Sequence, residues 1–190
     1  DGVTLADGGV VPADVIVVGI GVAPATGWLE SSGLELRDGV VCDPTLATPL
    51  PGVFAAGDLA RWPNELYGEE MRIEHWTNAA EQGAHAARNL LAVLEGGTPV
   101  PYTPVPFVWS DQHRHRIQVL GRPATTAADR VEVVVGDPAA HRFLAFYGRG
   151  DRLWGVLGVN VPRLVMAYRR PLADRVSWDD ALALATTQRT

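Results

Sequence analysis

The chain has 190 residues, 47% of them hydrophobic, with a mean hydropathy of +0.04, enough for one large or two small globular domains at about 150 residues each. Twenty-two acidic against 16 basic residues leave a net charge of −6, which argues against a general nucleic-acid surface. Every base is an arginine, and acids are interspersed along the chain, so no polybasic run suits a membrane surface.

Residues 1–13 alternate apolar and turn residues around Asp7-Gly8-Gly9 and predict a short hairpin. The chain opens inside this pattern, on Asp1 and with no leader, as a fragment of a longer protein would. Val15-Ile16-Val17-Val18 is apolar on both faces, the pattern of a strand covered on both sides. The apolar stretch runs only to Ala23 before Pro24 stops it, well short of the about 20 residues of a membrane span. Residues 26–36 predict a short helix closed by Gly33, and Val40–Asp43 a short strand. Cys42 in that strand is the only cysteine. It excludes a disulfide within these residues, a CxxC pair and a cysteine-based zinc site, and a reducing, cytoplasmic setting is expected. Its simplest role is a small buried side chain.

Val53-Phe54-Ala55-Ala56 predicts a second buried strand, ending at Gly57-Asp58. Residues 59–72, with Pro63, Asn64 and Gly68, predict a loop. A helix is expected from Asn78 to Glu95, with Asn78 and Glu81 as a capping box and Gly96-Gly97 as the stop. The small residues of its first half call for a close neighbour. Four prolines at 99, 101, 104 and 106 mark the best domain boundary. Beyond it, 116–121, 131–136, 142–148 and 152–159 predict four strands, with turns at Gly136-Asp137-Pro138 and Gly148-Arg149-Gly150-Asp151. Helices over 162–170 and 178–187 follow, the second capped by Ser177. The fold class is thus α/β plus α+β: partial Rossmann-like elements, then a small antiparallel-sheet domain with helices.

Several groups could carry chemistry. The Gly19-Ile20-Gly21-Val22 turn follows a strand-like run at the position where open α/β sheets bind ligands, although, taken alone, a plain tight turn is the better explanation. Asp58, at a strand end beside Gly57, could accept hydrogen bonds from vicinal hydroxyls, or merely cap the next segment. Glu74-His75-Trp76-Thr77 leads into the small-residue helix, whose start favours an anionic ligand atom; an ordinary capped helix is the commoner arrangement. His113, His115 and His141 make a weak metal pattern, and Ser110, Asp111 and His113 are too close in sequence for a hydrolytic triad. Arg149-Gly150-Asp151 is turn chemistry.

In order, these segments say more. Ala13 to Pro24, Pro51-Gly52-Val53-Phe54-Ala55-Ala56-Gly57-Asp58, Arg72-Ile73-Glu74-His75-Trp76-Thr77-Asn78-Ala79 with Ala80 to Gly83, and Val105-Pro106-Phe107-Val108-Trp109-Ser110-Asp111-Gln112 resemble the FAD-dependent, NAD(P)H-using ferredoxin reductases of oxygenase systems. This is the group of putidaredoxin and rhodocoxin reductases. The resemblance implies that Asp58, with Gly57 making room, holds the FAD ribityl chain. It puts His75, Trp76 and Thr77 in the segment whose helix start faces the flavin pyrimidine edge, Glu74 and Gly19–Val22 near the nicotinamide, and Trp109 close to the flavin. It implies FAD and NAD(P)H as cofactors of the complete protein and a [2Fe-2S] ferredoxin as partner, and leaves a homodimer open. Arg72, Arg114 and Arg116, nearest in sequence to the two tryptophans, are the candidate docking cations.

On the same resemblance, residues 1–24 end an NAD(P)-binding domain, 25–98 form the second part of an FAD-binding domain, and 99–190 form the C-terminal reductase domain. Neither glycine-rich pyrophosphate loop of the group occurs in the chain, so the chain alone is expected to hold neither cofactor tightly. Two alternatives accompany this reading: a cofactor-free fragment with packing and interface roles, and a disulfide or peroxide reductase on the same scaffold.

Overall fold

The computed structural model describes residues 1–123 and 129–187. The expected hairpin is present: β1 (Gly2–Thr4) pairs antiparallel with β2 (Val10–Pro12). Residues 13–26, in contrast, have no regular structure. Val15, Ile16, Val17 and Val18 are exposed, Val17 by 90%. Their two-sided apolar pattern needs sheet neighbours and covering layers on both faces, and the described residues supply neither. The expected helix over 26–36 reduces to a 3-10 turn, Gly27–Leu29.

β3 (Val40–Val41) runs parallel to β4 (Ala60–Asn64), which pairs antiparallel with β5 (Glu69–Met71). The stretch expected to be a loop thus contains two strands. Buried Ala60, Trp62, Leu66, Tyr67 and Met71 anchor it in the core, and side-chain bonds fix its polar groups: buried Asn64 accepts from the Leu66 N–H through Oδ1 and donates to the Pro104 carbonyl through Nδ2, while Trp62, fully buried, donates to the Tyr102 carbonyl. Val53–Ala56 is no strand; a single bridge joins Phe54 to Ala47, and Val53 is exposed. The chain turns at once into a 3-10 turn, Gly57–Leu59.

Helix α1 spans Trp76–Leu94. It begins two residues before Asn78, and His75 occupies the N-cap position without a side-chain cap. Asn78 instead belongs to a buried stripe with Gln82, Ala86 and Asn89, spaced at helical period. Its amides reach loops rather than the helix start: Asn78 donates to the Ile73 carbonyl, Gln82 accepts from the Gly57 N–H at 2.7 Å, and Asn89 donates to the Thr45 and Val100 carbonyls.

Residues 98–106 run extended across this unit, and alternate carbonyls are held. Val100 exchanges bonds with Asn89, and the carbonyls of Tyr102, Pro104 and Pro106 accept from Trp62, Asn64 and Gly121. The five-stranded antiparallel sheet that follows has the order β6 (Phe107–Gln112), β7 (His115–Gly121), β10 (Arg152–Val159), β9 (Arg142–Arg149), β8 (Arg130–Asp137). The four expected strands are there, and β6 adds a fifth. Helices α2 (Pro162–Ala167), α3 (Arg169–Ala173) and α4 (Trp178–Thr187) pack on it. Ser177 accepts from the Asp180 N–H as expected of a cap. Phe146, Tyr168 and Trp178 form the centre of this core, with the first two rings edge-on at 4.8 Å. Gly158 permits the approach of α2: a Cβ there would lie 2.2 Å from Val165 Cγ2.

Candidate functional site

The turn Gly57–Leu59 packs on the first turns of α1. Gly57 has φ +80°, and its Cβ position is 3.5 Å from Ala79 Cβ, so the small residues of α1 do meet a close neighbour. The Gly57 N–H is fixed by Gln82, which leaves the Asp58 carboxylate exposed at the tip. Beside it, α1 opens with no side-chain cap, and Thr77 Oγ1 donates to the Phe107 carbonyl at 2.7 Å. That bond joins the helix start to β6. Between them lies a cleft of about 130 Å³ lined by Glu74, His75, Trp76, Thr77, Phe107, Val108 and Trp109. Trp76 is 77% exposed and Trp109 38%. Large aromatic surfaces left in water at the rim of one cleft, from segments 33 positions apart, mark a surface built for contact.

Electrostatics divide the cleft. Free N–H groups of the α1 start supply partial positive charge, while Asp58 and Glu74 stand nearby. His75 is half-buried, and burial lowers its pKa from the ordinary imidazole value against the opposing pull of Asp58 and Glu74. Its Nδ1 is buried without a hydrogen-bond partner among the described residues, as is the Nε2 of Gln82.

Arg72, offered as a docking cation, is engaged within the chain. Its side chain is only 11% exposed, and Nη1 donates both to Glu74 Oε1 at 2.5 Å and to the Asp58 carbonyl at 3.1 Å. Nε and Nη2 form a fork on Asp38 at 3.2 and 3.1 Å. Burial opposes its charge, but the bonds to Asp38 and Glu74 outweigh that and raise its pKa. The sequence offered Arg72 as a cation near Trp76; the structure makes it the clamp that orients Glu74 and the Asp58 turn. Arg116 pairs with Asp111 at 3.4 Å on the surface, and Arg114 is exposed at the β6–β7 turn.

Gly19, Ile20, Gly21 and Val22 do not line this cleft. They lie in the irregular 13–26 stretch, Ile20 90% exposed and nothing within 4 Å of the Cβ positions of Gly19 and Gly21. Among the described residues no group of three or more His, Cys, Asp or Glu could hold a metal; the His115 and His141 rings meet at a tilt of 42°, with centroids 4.7 Å apart. Sequence reasoning missed the roles of Gln82, Asn78 and the Phe107 carbonyl. The spacing of Asn78 and Gln82, four apart on one helix face, was the available signal.

Two family models match the chain: pyridine nucleotide-disulphide oxidoreductase over residues 1–83 and reductase C-terminal over residues 107–189. The chain carries both regions, a pyridine nucleotide-disulphide oxidoreductase segment followed by a reductase C-terminal domain. Ferredoxin reductases are among the proteins it is similar to. The ferredoxin reductase subunit of the 5,5'-dehydrodivanillate O-demethylase of Sphingobium sp. is 37% identical over 98% of this chain and 44% of its own length. Rhodocoxin reductase of Rhodococcus erythropolis is 40% identical over 90% of this chain and 38% of its own length. Among solved structures, the ferredoxin reductase for the CYP199A2 system of Rhodopseudomonas palustris has TM-score 0.79 at 32% identity, covering 100% of this chain and 46% of that one. The covalent putidaredoxin reductase–putidaredoxin complex matches with TM-score 0.78 at 30% identity, covering 97% and 44%. The chain spans less than half the length of each of these relatives. No helix of the described residues is long and apolar enough to cross a membrane.

Proposed function

We propose that the chain forms the flavin-facing and acceptor-facing part of a reductase that passes electrons from NAD(P)H through FAD to a [2Fe-2S] ferredoxin of an oxygenase system. The observation that carries the reading is the junction of the Gly57-Asp58 turn with the uncapped start of α1, beside exposed Trp76 and Trp109. These residues fit FAD: an exposed carboxylate suits ribityl hydroxyls, and free N–H groups with an unpartnered buried imidazole nitrogen suit the polar edge of a flat ring. FAD, when bound, supplies the exchange between two-electron and one-electron chemistry. In this reading Asp58 accepts hydroxyl bonds, Thr77 locks the helix start to β6, and Trp76 and Trp109 exclude water from the ring edge. Glu74, held by Arg72, faces the nicotinamide side together with Gly19, Ile20, Gly21 and Val22.

The division into an NAD(P)-binding end (1–24), the second part of an FAD-binding domain (25–98) and a C-terminal reductase domain (99–190) belongs to the same proposal. So does a cytoplasmic setting, which suits one unpaired cysteine, and sedimentation of the full-length protein decides whether it forms a homodimer. A cysteine-based reductase finds no support in Cys42, whose thiol is buried and pushed up to about 11.

The test compares flavin retention in Asp58→Ala and Cys42→Ser variants of the full-length protein. A hydrogen bond to a charged group contributes about 1.5–3 kcal/mol, so Asp58→Ala raises the FAD dissociation constant roughly 10- to 100-fold. Cys42→Ser changes packing alone. Equal flavin loss in both variants counts against the assignment.

A further inference from the structure

We propose that the seam between the first unit and the C-terminal sheet holds a chloride-sized anion, in a closed site framed by Tyr67, Trp154 and Arg152. The inference stands apart from the electron-transfer reading, and none of these residues lines the tryptophan cleft. Tyr67, in the turn between β4 and β5, is 5% exposed, and Trp154, on β10, 6%. The Tyr67 hydroxyl, the Trp154 Nε1 and the Arg152 Nε are all shut off from solvent, yet none has a hydrogen-bond partner among the described residues. Buried polar groups are almost always paired, and an unmet one costs the desolvation of the group. Three in one neighbourhood call for an occupant.

The three groups gather on one indole. The Tyr67 ring meets it edge-on with centroids 5.1 Å apart, and the Arg149 and Arg152 guanidiniums lie 5.0 and 5.4 Å from its centre. Trp154 is the extra residue where the β9–β10 register shifts between Leu153 and Gly155, and a bulge of this kind re-aims a side chain. On β7, Gly121 has φ +79°; a Cβ there would fall 2.6 Å from the Trp154 carbonyl oxygen and 3.1 Å from Tyr67 Oη. Glycine thus keeps a side-chain carbon out of the space beside the hydroxyl.

Charge settles the kind of occupant. Arg122, Arg149, Arg152 and Arg175 meet at the seam, and among the described residues Glu69 is the one carboxylate bonded to any of them. It receives Arg122 at 3.2 Å and Arg149 at 3.0 Å, while Arg175 donates to the Glu65 carbonyl. Burial, then Arg175, lowers the Arg152 pKa against the pull of Tyr67 and Asp151. Burial raises that of the Tyr67 hydroxyl, which therefore keeps its proton and donates. Indole and guanidinium N–H groups only donate. A water molecule accepts from two such groups and brings two hydrogens that need acceptors of their own; an anion accepts from all three and offsets the surplus positive charge. Because the donors are closed to solvent, the occupant is a single small ion rather than a phosphate or a carboxylate.

The experiment follows thermal unfolding of the full-length protein in sodium chloride and in sodium gluconate at equal ionic strength, for wild type, Tyr67→Phe, Arg152→Met and Tyr168→Phe. Tyr168 is the control, a fully buried hydroxyl also without a partner but packed on Phe146 rather than among arginines. Chloride should raise the wild-type midpoint by about 2–4 °C over gluconate, and Tyr168→Phe should keep that gap. Tyr67→Phe and Arg152→Met should lose most of it. In gluconate Tyr67→Phe should be no less stable than wild type, since it removes an unmet donor. An equal gap in all four proteins, or none, reduces the effect to the general action of the salts and overturns the proposal. So does a Tyr67→Phe protein destabilised alike in both salts, the mark of a hydroxyl satisfied by water. Crystals of the full-length protein grown in bromide give the direct view, with an anomalous peak expected between Tyr67 Oη and Trp154 Nε1. Absence of the peak overturns the proposal, and a peak without the chloride gap marks an adventitious ion only and does so too.

Discussion

Replacing Arg72 by Met tests whether this residue is a clamp or a surface cation. Met keeps much of the aliphatic stem and removes the guanidinium. Three attachments go: the fork on Asp38, the bond to Glu74 and the bond to the Asp58 carbonyl. Asp38 is 58% exposed and Glu74 34%, so water re-solvates both after the loss, and each pair is worth at most about 1 kcal/mol. The carbonyl bond from a charged donor adds about 1 kcal/mol after the same discount. Together Arg72→Met should cost about 2–3 kcal/mol, read as a lower urea midpoint at unchanged slope. Arg114→Met, which removes no partner, should stay within about 0.5 kcal/mol of wild type. FAD retention should fall with Arg72→Met and recover in part with Arg72→Lys, which restores a single donor. A cost below about 0.5 kcal/mol for Arg72→Met, with flavin retention intact, would refute the clamp.

Two further outcomes concern titrating groups. Burial lowers the His75 pKa, so the unfolded chain binds more protons than the folded one below about pH 6.5. The His75 contribution to stability is then full above that pH and is lost as pH falls, and His75→Gln should flatten the stability curve between about pH 5 and 7; an unaltered slope in that window contradicts the burial argument. Cys42, buried with its thiol pushed up to about 11, should resist iodoacetamide in the native protein and react only in urea, since the thiolate is the reactive form; equal rates in both conditions would show the thiol to be accessible.

The C-terminal half was the more legible in sequence because its signals are local. Gly136-Asp137-Pro138 and Gly148 to Asp151 bound strands that pair with their neighbours in the chain, and Ser177 caps α4 by a bond three residues away. The first half was less legible because its order is carried by distant side-chain bonds. Pro63 and Asn64 look like loop residues, yet Asn64 holds the Pro104 carbonyl 40 residues on. Asn78 looks like a cap, yet it is buried and faces Ile73 and Tyr102. The β-branched run Val15–Val18 carries a correct statement about environment, that both faces want covering, but the described residues offer no such cover. In the candidate site, the segment Glu74–Thr77 and Trp109 meet at one cleft. The guanidinium of Arg72 could not be assigned from sequence because its partners Asp38 and Asp58 lie 34 and 14 positions away.

Four prolines between two folded units read as a flexible joint, but the segment 98–106 is fastened at every second carbonyl, to α1, β4 and β7 in turn. Any hinge motion at this point would strip several buried bonds at once, each costly to leave unmade. The gap between Trp76, carried by the first unit, and Trp109, carried by the second, is therefore set when the chain folds. The width of that cleft is one that neither thermal swinging nor partner arrival needs to create, and the segment is a poor place for protease nicking or for splicing in a foreign loop.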